Sequence, residues 1–246
     1  MSIQAIGTTR RLTTGLAFVL LFATFLVLGI RVGGASGLAA TKLGQVGKSQ
    51  DPSCPDSCFV FAKVTGFQTT ANGEHALFKV PEDGHIVGWQ VEATVPTKDD
   101  ILTLNGEYGN PAAQLAILKQ KDKNSFKLTK ESPKVDLTSS LGSSPIFTLG
   151  KPLKVKKDSI VALTTKSWVS NFAQLGDLTT DGDKWRASRS ASKCGDDPDK
   201  TTDENRADLE SSKPQLKLGT TRPYGCTYGS GRIVYWAYFV PDDSGK

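Results

Sequence analysis

Two cysteines four positions apart, Cys54 and Cys58 in "SCPDSC", can exchange electrons as a dithiol, hold a metal ion or form a staple. A redox motif needs two intervening residues and a helix starting behind them, whose dipole lowers the thiolate pKa. Here three residues intervene and a strand-like run, "FVFAKVTGFQ", follows. A zinc site would need Cys194 and Cys226 to converge on the first pair, or histidines nearby, and the two histidines, His75 and His85, lie elsewhere. The expectation is a staple that pins the start of the first strand.

Further chemistry-bearing groups gather in "GDLTTDGDKWRASR". Asp177, Asp181 and Asp183 stand in a glycine-containing loop and could supply calcium oxygens, although without EF-hand spacing, and the competing reading is a solvated turn. The same holds for Asp196, Asp197 and Asp199. No other cofactor is expected. Trp185 lies beside Arg186 and Arg189, and Trp168 sits among polar residues in "TTKSWVSNF". An indole face with charged hydrogen-bonding groups around it suits a sugar ring, which makes these four the candidate ligand residues. The competing reading folds Trp185 inward as a plug over the end of the domain, with Arg186 and Arg189 paired to Asp181 or Asp183. Trp89 and Trp236 stand in strand interiors beside branched residues and are expected in the core.

Catalytic constellations are thin. No G-x-S-x-G elbow exists, and a triad could use only His75 or His85, both beside strand starts. A glycosidase needs two carboxylates at fixed separation, for which Glu92, Glu107, Asp177, Asp181 and Asp183 are candidates that only a fold can pair. "GKS" at Gly47 to Ser49 is not a phosphate loop, because the leading glycine of that motif would fall at Lys42 and no strand precedes it. A non-catalytic role is therefore expected.

The elements that must position these groups are mostly strands. "HIVGWQVEAT" alternates Val87, Trp89, Val91 and Ala93 against Gly88, Gln90 and Glu92, and "RIVYWAYFVP" alternates Ile233, Tyr235, Ala237 and Phe239 against Val234, Trp236, Tyr238 and Val240. The first has one dry face, and the second reads as a central strand covered on both sides. "AQLAILKQ", "SFKLTKES", "SPIFTL", "PLKVKKD" and "SIVALTTKSW" are further short runs between turns. One helix is expected in "VPTKDDILTLNGEYG". Thr97 caps it, Asp99 and Asp100 sit in its first turn, Ile101, Leu104 and Tyr108 recur at helical spacing, and Gly106 or Gly109 closes it. The polar stretch from Gly176 to Pro223 reads as a long surface loop.

The leader "RRLTTGLAFVLLFATFLVLGIRVGGASGLAA" has an Arg pair, an apolar run from Leu16 to Ile30 and then small residues, the order of an export signal. Cleavage after Gly37 or Ala40 is expected. Arg31 directly behind the apolar run is the mark of the alternative, an uncleaved anchor from Gly15 to Ala40. Leu12, Thr13 and Thr14 depart from a twin-arginine signal. In either case Arg10 and Arg11 outnumber Arg31 and place the domain outside the cytoplasm. Of the net charge of +5, three charges are Arg10, Arg11 and Arg31 in a leader without acidic residues, which leaves about +2 on the exported part. Its lysines alternate with apolar residues instead of forming a basic stripe, which argues against nucleic acid. The segments expected are a signal peptide or anchor over 1–40, a polar linker over 41–53, one β-sandwich domain over 54–241 and a tail over 242–246.

The runs "CPDSCFVFAKVTGFQ", "VPEDGHIVGWQV", "KDDILTLNGEYG", "PLKVKKDSIVALTT", "WRASR" and "YGCTYGSGRIVYWAYFVP", in that order, resemble a group of exported, functionally unassigned β-sandwich proteins of actinobacteria. The likeness covers almost everything from Cys54 to Pro241, and the chain departs from the group in carrying many lysines where arginine is usual. The resemblance implies a jelly-roll-like sandwich with two cysteine pairs, and no activity. Chain order suggests Cys54 with Cys58 and Cys194 with Cys226, bonded in an oxidising compartment. Closing so short a loop contributes about 2 kcal/mol, and the longer one about 3 to 4 kcal/mol.

The resulting expectation is an all-β, antiparallel, jelly-roll-like sandwich with one short helix and a long disulfide-closed loop. It would be secreted or anchored to the outer face of the cytoplasmic membrane through its N-terminal segment. Its role would be binding or structural at the cell surface, with polysaccharide as the candidate partner. The alternatives are a polysaccharide-acting enzyme on the same scaffold, and a small-molecule sensor or carrier with an enclosed apolar pocket between the sheets.

Overall fold

Strands of period two form both sheets in a computed structural model of the chain, which describes residues 40–46, 51–56, 58–174, 183–195, 199–201, 203–204, 207, 213–229 and 231–242. The leader up to residue 39, the aspartates Asp177, Asp181, Asp196 and Asp197, and tail residues 243–246 lie outside the described residues. Leu38–Lys246 forms one unit.

One sheet contains β1 (Thr41–Leu43), β4 (Gly84–Val91), β8 (Ile146–Val155) and β15 (Tyr235–Pro241), in the order β1-β15-β4-β8. The other contains β2 (Phe61–Ala71), β5 (Ala112–Asp122), β6 (Ser125–Glu131), β9 (Ile160–Val169), β11 (Lys184–Ala187), β12 (Thr221–Pro223) and β13 (Cys226–Gly229). Its order is β12-β6-β5-β9-β2-β11-β13, with the two-residue strands β3 (Glu74–His75) on β2 and β7 (Val135–Asp136) on β5. A separate ribbon pairs β10 (Phe172–Gln174) with β14 (Gly231–Ile233). Every pairing is antiparallel.

The strands β1, β2, β4, β5, β6, β8, β9, β15 switch between the sheets at every step except the β5–β6 hairpin, so that β1-β15-β4-β8 faces β6-β5-β9-β2, which is jelly-roll order. The jelly-roll-like sandwich expected from the chain is the fold observed. Strands β11 and β13 prolong the second sheet beyond β2, and β12 prolongs it beyond β6. That extension at the β2 edge builds the cleft described below.

The core lies between the sheets, where Ile86, Trp89, Val91, Tyr235, Ala237 and Phe239 of one meet Phe61, Val64, Leu115, Ile117, Val161 and Leu163 of the other. The Tyr235 hydroxyl crosses the sandwich and donates to the Val161 carbonyl at 2.9 Å, and the Phe78 ring stacks on Tyr235 at 4.0 Å. A second, smaller core of Phe67, Leu118, Phe126, Leu128 and Tyr224 covers the outer face of the longer sheet. Residues 213–225 close over it. Gln215 donates from its backbone to Thr65 Oγ1 at 2.8 Å and accepts from the Tyr224 hydroxyl at 2.8 Å. Burial raises the Tyr224 and Tyr235 phenols well above the ordinary range, so both remain neutral donors.

Four local expectations are corrected. Val87 does not share the dry face of β4, because it is the extra residue opposite β15, where pairing jumps from Tyr238 with Gly88 to Phe239 with Ile86; Ile86 takes the core position. β15 is covered on one face only, so Trp236 is half-exposed with the Lys42 ammonium 4.2 Å above its ring, not in the core. The stretch from Gly176 to Pro223 is not wholly surface loop, since β11 lies inside the sheet between β2 and β13 and Gln215 is buried. The polar linker is not free of the domain either. Thr41–Leu43 pairs with β15, Leu43 is buried, and Ser53 bonds the Phe172 carbonyl through both its backbone N–H and its hydroxyl. Just beyond β1, Gly44 (φ +87) packs so closely on Phe78 that a Cβ would lie 2.2 Å from the ring.

The helix α1 (Lys98–Tyr108) forms as expected, with a capping box between Thr97 and Asp100 and a stop at Gly109 (φ 80), whose N–H bonds the Asn105 carbonyl. None of its residues is fully buried. It is held on the outer side of β9, where the Trp168 indole donates to Asn105 Oδ1 at 3.1 Å.

Candidate functional site

A cleft of about 410 Å³ opens where the extension of the longer sheet meets the end of α1. Its floor is the start of β2, Phe61 to Val64, with Phe59 and Val60 before it. One wall is the last turn of α1, Glu107 and Tyr108, and the other is Trp185, Tyr228, Phe172 and Arg189. Alternation along β11 turns Trp185 and Ala187 inward and leaves Lys184 and Arg186 outside. The pairing of Trp185 with Tyr228 in the β11–β13 register then sets two rings side by side, centroids 4.8 Å apart with 29° between their planes. Phe61 and Phe172 meet the same indole edge-on, at 5.9 Å and 5.6 Å.

Tyr228 is fixed at its polar end. Its hydroxyl donates to the Cys194 carbonyl at 2.8 Å and accepts from Arg189 Nη1 at 3.0 Å, with the guanidinium carbon 5.6 Å from the ring centroid. The Cys194–Cys226 disulfide, with Cα atoms 5.2 Å apart, ties the segment carrying that carbonyl to β13 two residues before Tyr228. The longer staple therefore orders the aromatic wall as well as closing its loop. Cys54 and Cys58 are joined with Cα atoms 4.0 Å apart, just ahead of β2 and the cleft floor.

Among the described residues, three charged groups line the cleft: Lys63, Arg189 and Glu107. The Lys63 ammonium lies 4.6 Å from the centre of the Tyr108 ring. Glu107 is the single carboxylate among the described lining residues, so the acidic pair of a glycosidase is not assembled by them.

Of the four residues expected to contact a ligand, the structure brings Trp185 and Arg189 to the cleft. Trp185 retains 9% exposure and is a core residue, turned inward as the plug reading expected while its edge lines the cleft, but Asp183 pairs with Arg232 and not with Arg186 or Arg189, and Asp181 lies outside the described residues. Trp168 is excluded, being fully buried between β9 and α1 with its N–H spent on Asn105. Arg186 is excluded by strand alternation. It faces away and clamps the β5–β6 turn through the Lys123 carbonyl at 2.8 Å and Asn124 Oδ1 at 3.0 Å.

The calcium assignment fails at Asp183. That carboxylate is buried against Arg232, with Nε 2.6 Å from Oδ2 and Nη2 3.0 Å from Oδ1, and it also accepts the Asn72 N–H at 3.0 Å. Both oxygens serve a structural ion pair, and no cluster of three His, Cys, Asp or Glu side chains suited to a metal exists among the described residues. Neither histidine reaches the cleft. His75 meets Thr70 Oγ1 at 3.1 Å, and His85 meets Asp242 at 3.0 Å.

A wider, shallower groove of about 600 Å³ runs past Cys54, Pro55, Glu92, Val95 and Ser143. Burial, with Asp51 nearby, holds the Glu92 carboxyl above its usual value, but the described residues lining the groove include no aromatic ring and no lysine or arginine. Sequence reasoning missed Lys63, Tyr108 and Tyr228. Tyr108 carried a signal that was spent on the helical stripe, and Tyr228 stands in "CTYG" directly behind a cysteine. No family model, curated protein or solved structure matches this chain.

Proposed function

We propose that the chain is an exported binding module of the cell surface whose aromatic cleft takes a sugar ring. The observation that carries this reading is a cleft of about 410 Å³ lined by Tyr108, Tyr228 and the edge of Trp185, with Lys63, Arg189 and Glu107 among its lining as hydrogen-bonding groups. Ring faces give a flat apolar surface to the C–H face of a pyranose, and a few convergent polar groups orient its hydroxyls. The single described carboxylate favours binding over the hydrolase alternative. A filled core between the sheets disfavours the carrier alternative, which needs an enclosed apolar pocket there. Export is supported by the order of the leader and by both cysteine pairs being bonded. Among the described residues no helix is long and apolar enough to cross a membrane.

The test is electrophoresis through native gels with and without soluble polysaccharide. The parent protein is expected to be retarded. Tyr108→Ala, which removes a half-exposed ring, should run as in the blank gel while keeping its melting temperature within a few degrees. Absence of retardation on neutral and acidic polysaccharides alike, or retardation indifferent to Tyr108, would overturn the reading.

A further inference from the structure

Lys63 is a lysine in left-handed backbone geometry, with φ 45, inside the long strand β2. That conformation is costly for any residue with a Cβ, and glycine would adopt it without strain. The pairing with β9 is disturbed at the same place. Ala62 pairs with Trp168 and Val64 with Thr165, so Lys63 alone stands against Lys166 and Ser167. One consequence is that Phe61 and Val64, three residues apart, both reach the core. The other is that Lys63, which an undisturbed strand would place on the same face as Phe61, carries its ammonium to the cleft and the Tyr108 ring. Strained geometry at a non-glycine residue persists where the surroundings over-determine it, and it concentrates at ligand contacts.

We infer that the cleft is selective for an acidic sugar of the uronate class, and that Lys63 receives the carboxylate; this rests on the sugar-binding reading above. The ring is held by Tyr108 and Tyr228. Arg189, oriented by its bond to the Tyr228 hydroxyl, supplies the second cation, and Glu107 is left to accept from a ring hydroxyl. Two cations against one carboxylate give the described margin a net positive charge, complementary to an anionic ligand. A purely structural role for Lys63 also exists, because the last turn of α1 carries no basic residue and an ammonium near that end offsets the helix dipole.

The two roles separate in one experiment. The parent protein, Lys63→Gly and Lys63→Gln are titrated calorimetrically with an oligogalacturonate and with the neutral galacto-oligosaccharide of the same length, and their melting temperatures are recorded. The parent is expected to prefer the oligogalacturonate. Both variants should lose about ten- to hundredfold in affinity for it and several times less for the neutral sugar, which loses one hydrogen-bonding group but no charge pair, so that the preference for the oligogalacturonate falls. Lys63→Gly, relieved of strain, should melt no lower than the parent. A lower melting temperature with undiminished oligogalacturonate affinity would assign Lys63 to the helix and overturn the inference. Equal affinity of the parent for the two sugars would overturn it while leaving the sugar-binding reading intact. Binding of neither sugar would overturn both.

Discussion

The indole of Trp185 lies against the phenol of Tyr228, centroids 4.8 Å apart and planes 29° from parallel, so one residue pair is both the end of the hydrophobic core and the wall of the cleft. Trp185 also meets Phe61 and Phe172 edge-on, which leaves it little of its surface in water.

Trp185→Ala should therefore unfold more easily, by about 3 to 5 kcal/mol in denaturant titration, the range for deleting a large buried aromatic. A loss of ligand retention in this variant alone would not assign a binding role, because the wall would collapse with the core. A melting temperature equal to that of the parent would show that the indole is not packed as described.

Asp183→Asn tests the ion pair with Arg232, whose partners keep side-chain exposures of only 1% and 6%. Removing one charge strands the other in a buried site, and a loss of about 3 to 5 kcal/mol is expected. The parent should melt at the same temperature in calcium and in chelator. A calcium-dependent rise abolished by Asp183→Asn would restore the metal assignment that the geometry opposes.

Glu92 sets a pH dependence of definite sign. Burial, then the nearby Asp51 charge, raises its folded pKa above the usual 4.5. The folded protein therefore holds this proton more tightly than the unfolded chain does. The contribution is full below the unfolded pKa and is lost as pH rises through the raised value, leaving a partly desolvated charge as a net cost at neutral pH. Glu92→Gln should be more stable than the parent at pH 7, with the advantage shrinking toward pH 4. A difference that is constant over this range in paired melting curves would remove desolvation of Glu92 as its cause.

The N-terminal boundary is set by β1. A chain beginning at Ala40 keeps the pairing of Thr41, Lys42 and Leu43 with β15, and one beginning at Gln45 loses it together with the buried Leu43 side chain and the fit of Gly44 against Phe78. The shorter chain should be less stable by about 2 kcal/mol from Leu43 burial alone. Equal melting temperatures would return residues 41 to 44 to the role of a tether. N-terminal sequencing of exported material is expected to find a start between Leu38 and Thr41, which retains β1 whole.

Sequence alone determined whatever is written in neighbouring residues. Alternation in "RIVYWAYFVP" set Tyr235, Ala237 and Phe239 on one face, which is the buried one, and Thr97 with the acidic first turn marked the start of the helix, whose end was left between Gly106 and Gly109. The many short strands gave the all-β sandwich, and the cysteine order matched the two bonds found. These succeed because side-chain period and capping are local, so a window of five to ten residues holds the whole signal. Tertiary structure decided the rest. β1 and β11 have three and four residues, too few for a period, and are strands only because β15, β2 and β13 offer open edges. A one-residue bulge at Val87 and the left-handed turn at Lys63 reverse the faces that alternation assigns. The fates of the candidate residues were settled by partners distant in sequence. Trp168 was taken up by Asn105, 63 positions away, Asp183 by Arg232, 49 away, and Trp185 by Tyr228 on a strand that exists only as an extension of the sheet. A side chain's chemistry is set by what desolvates it and what bonds it, and in an antiparallel sandwich those groups come from strands far away along the chain.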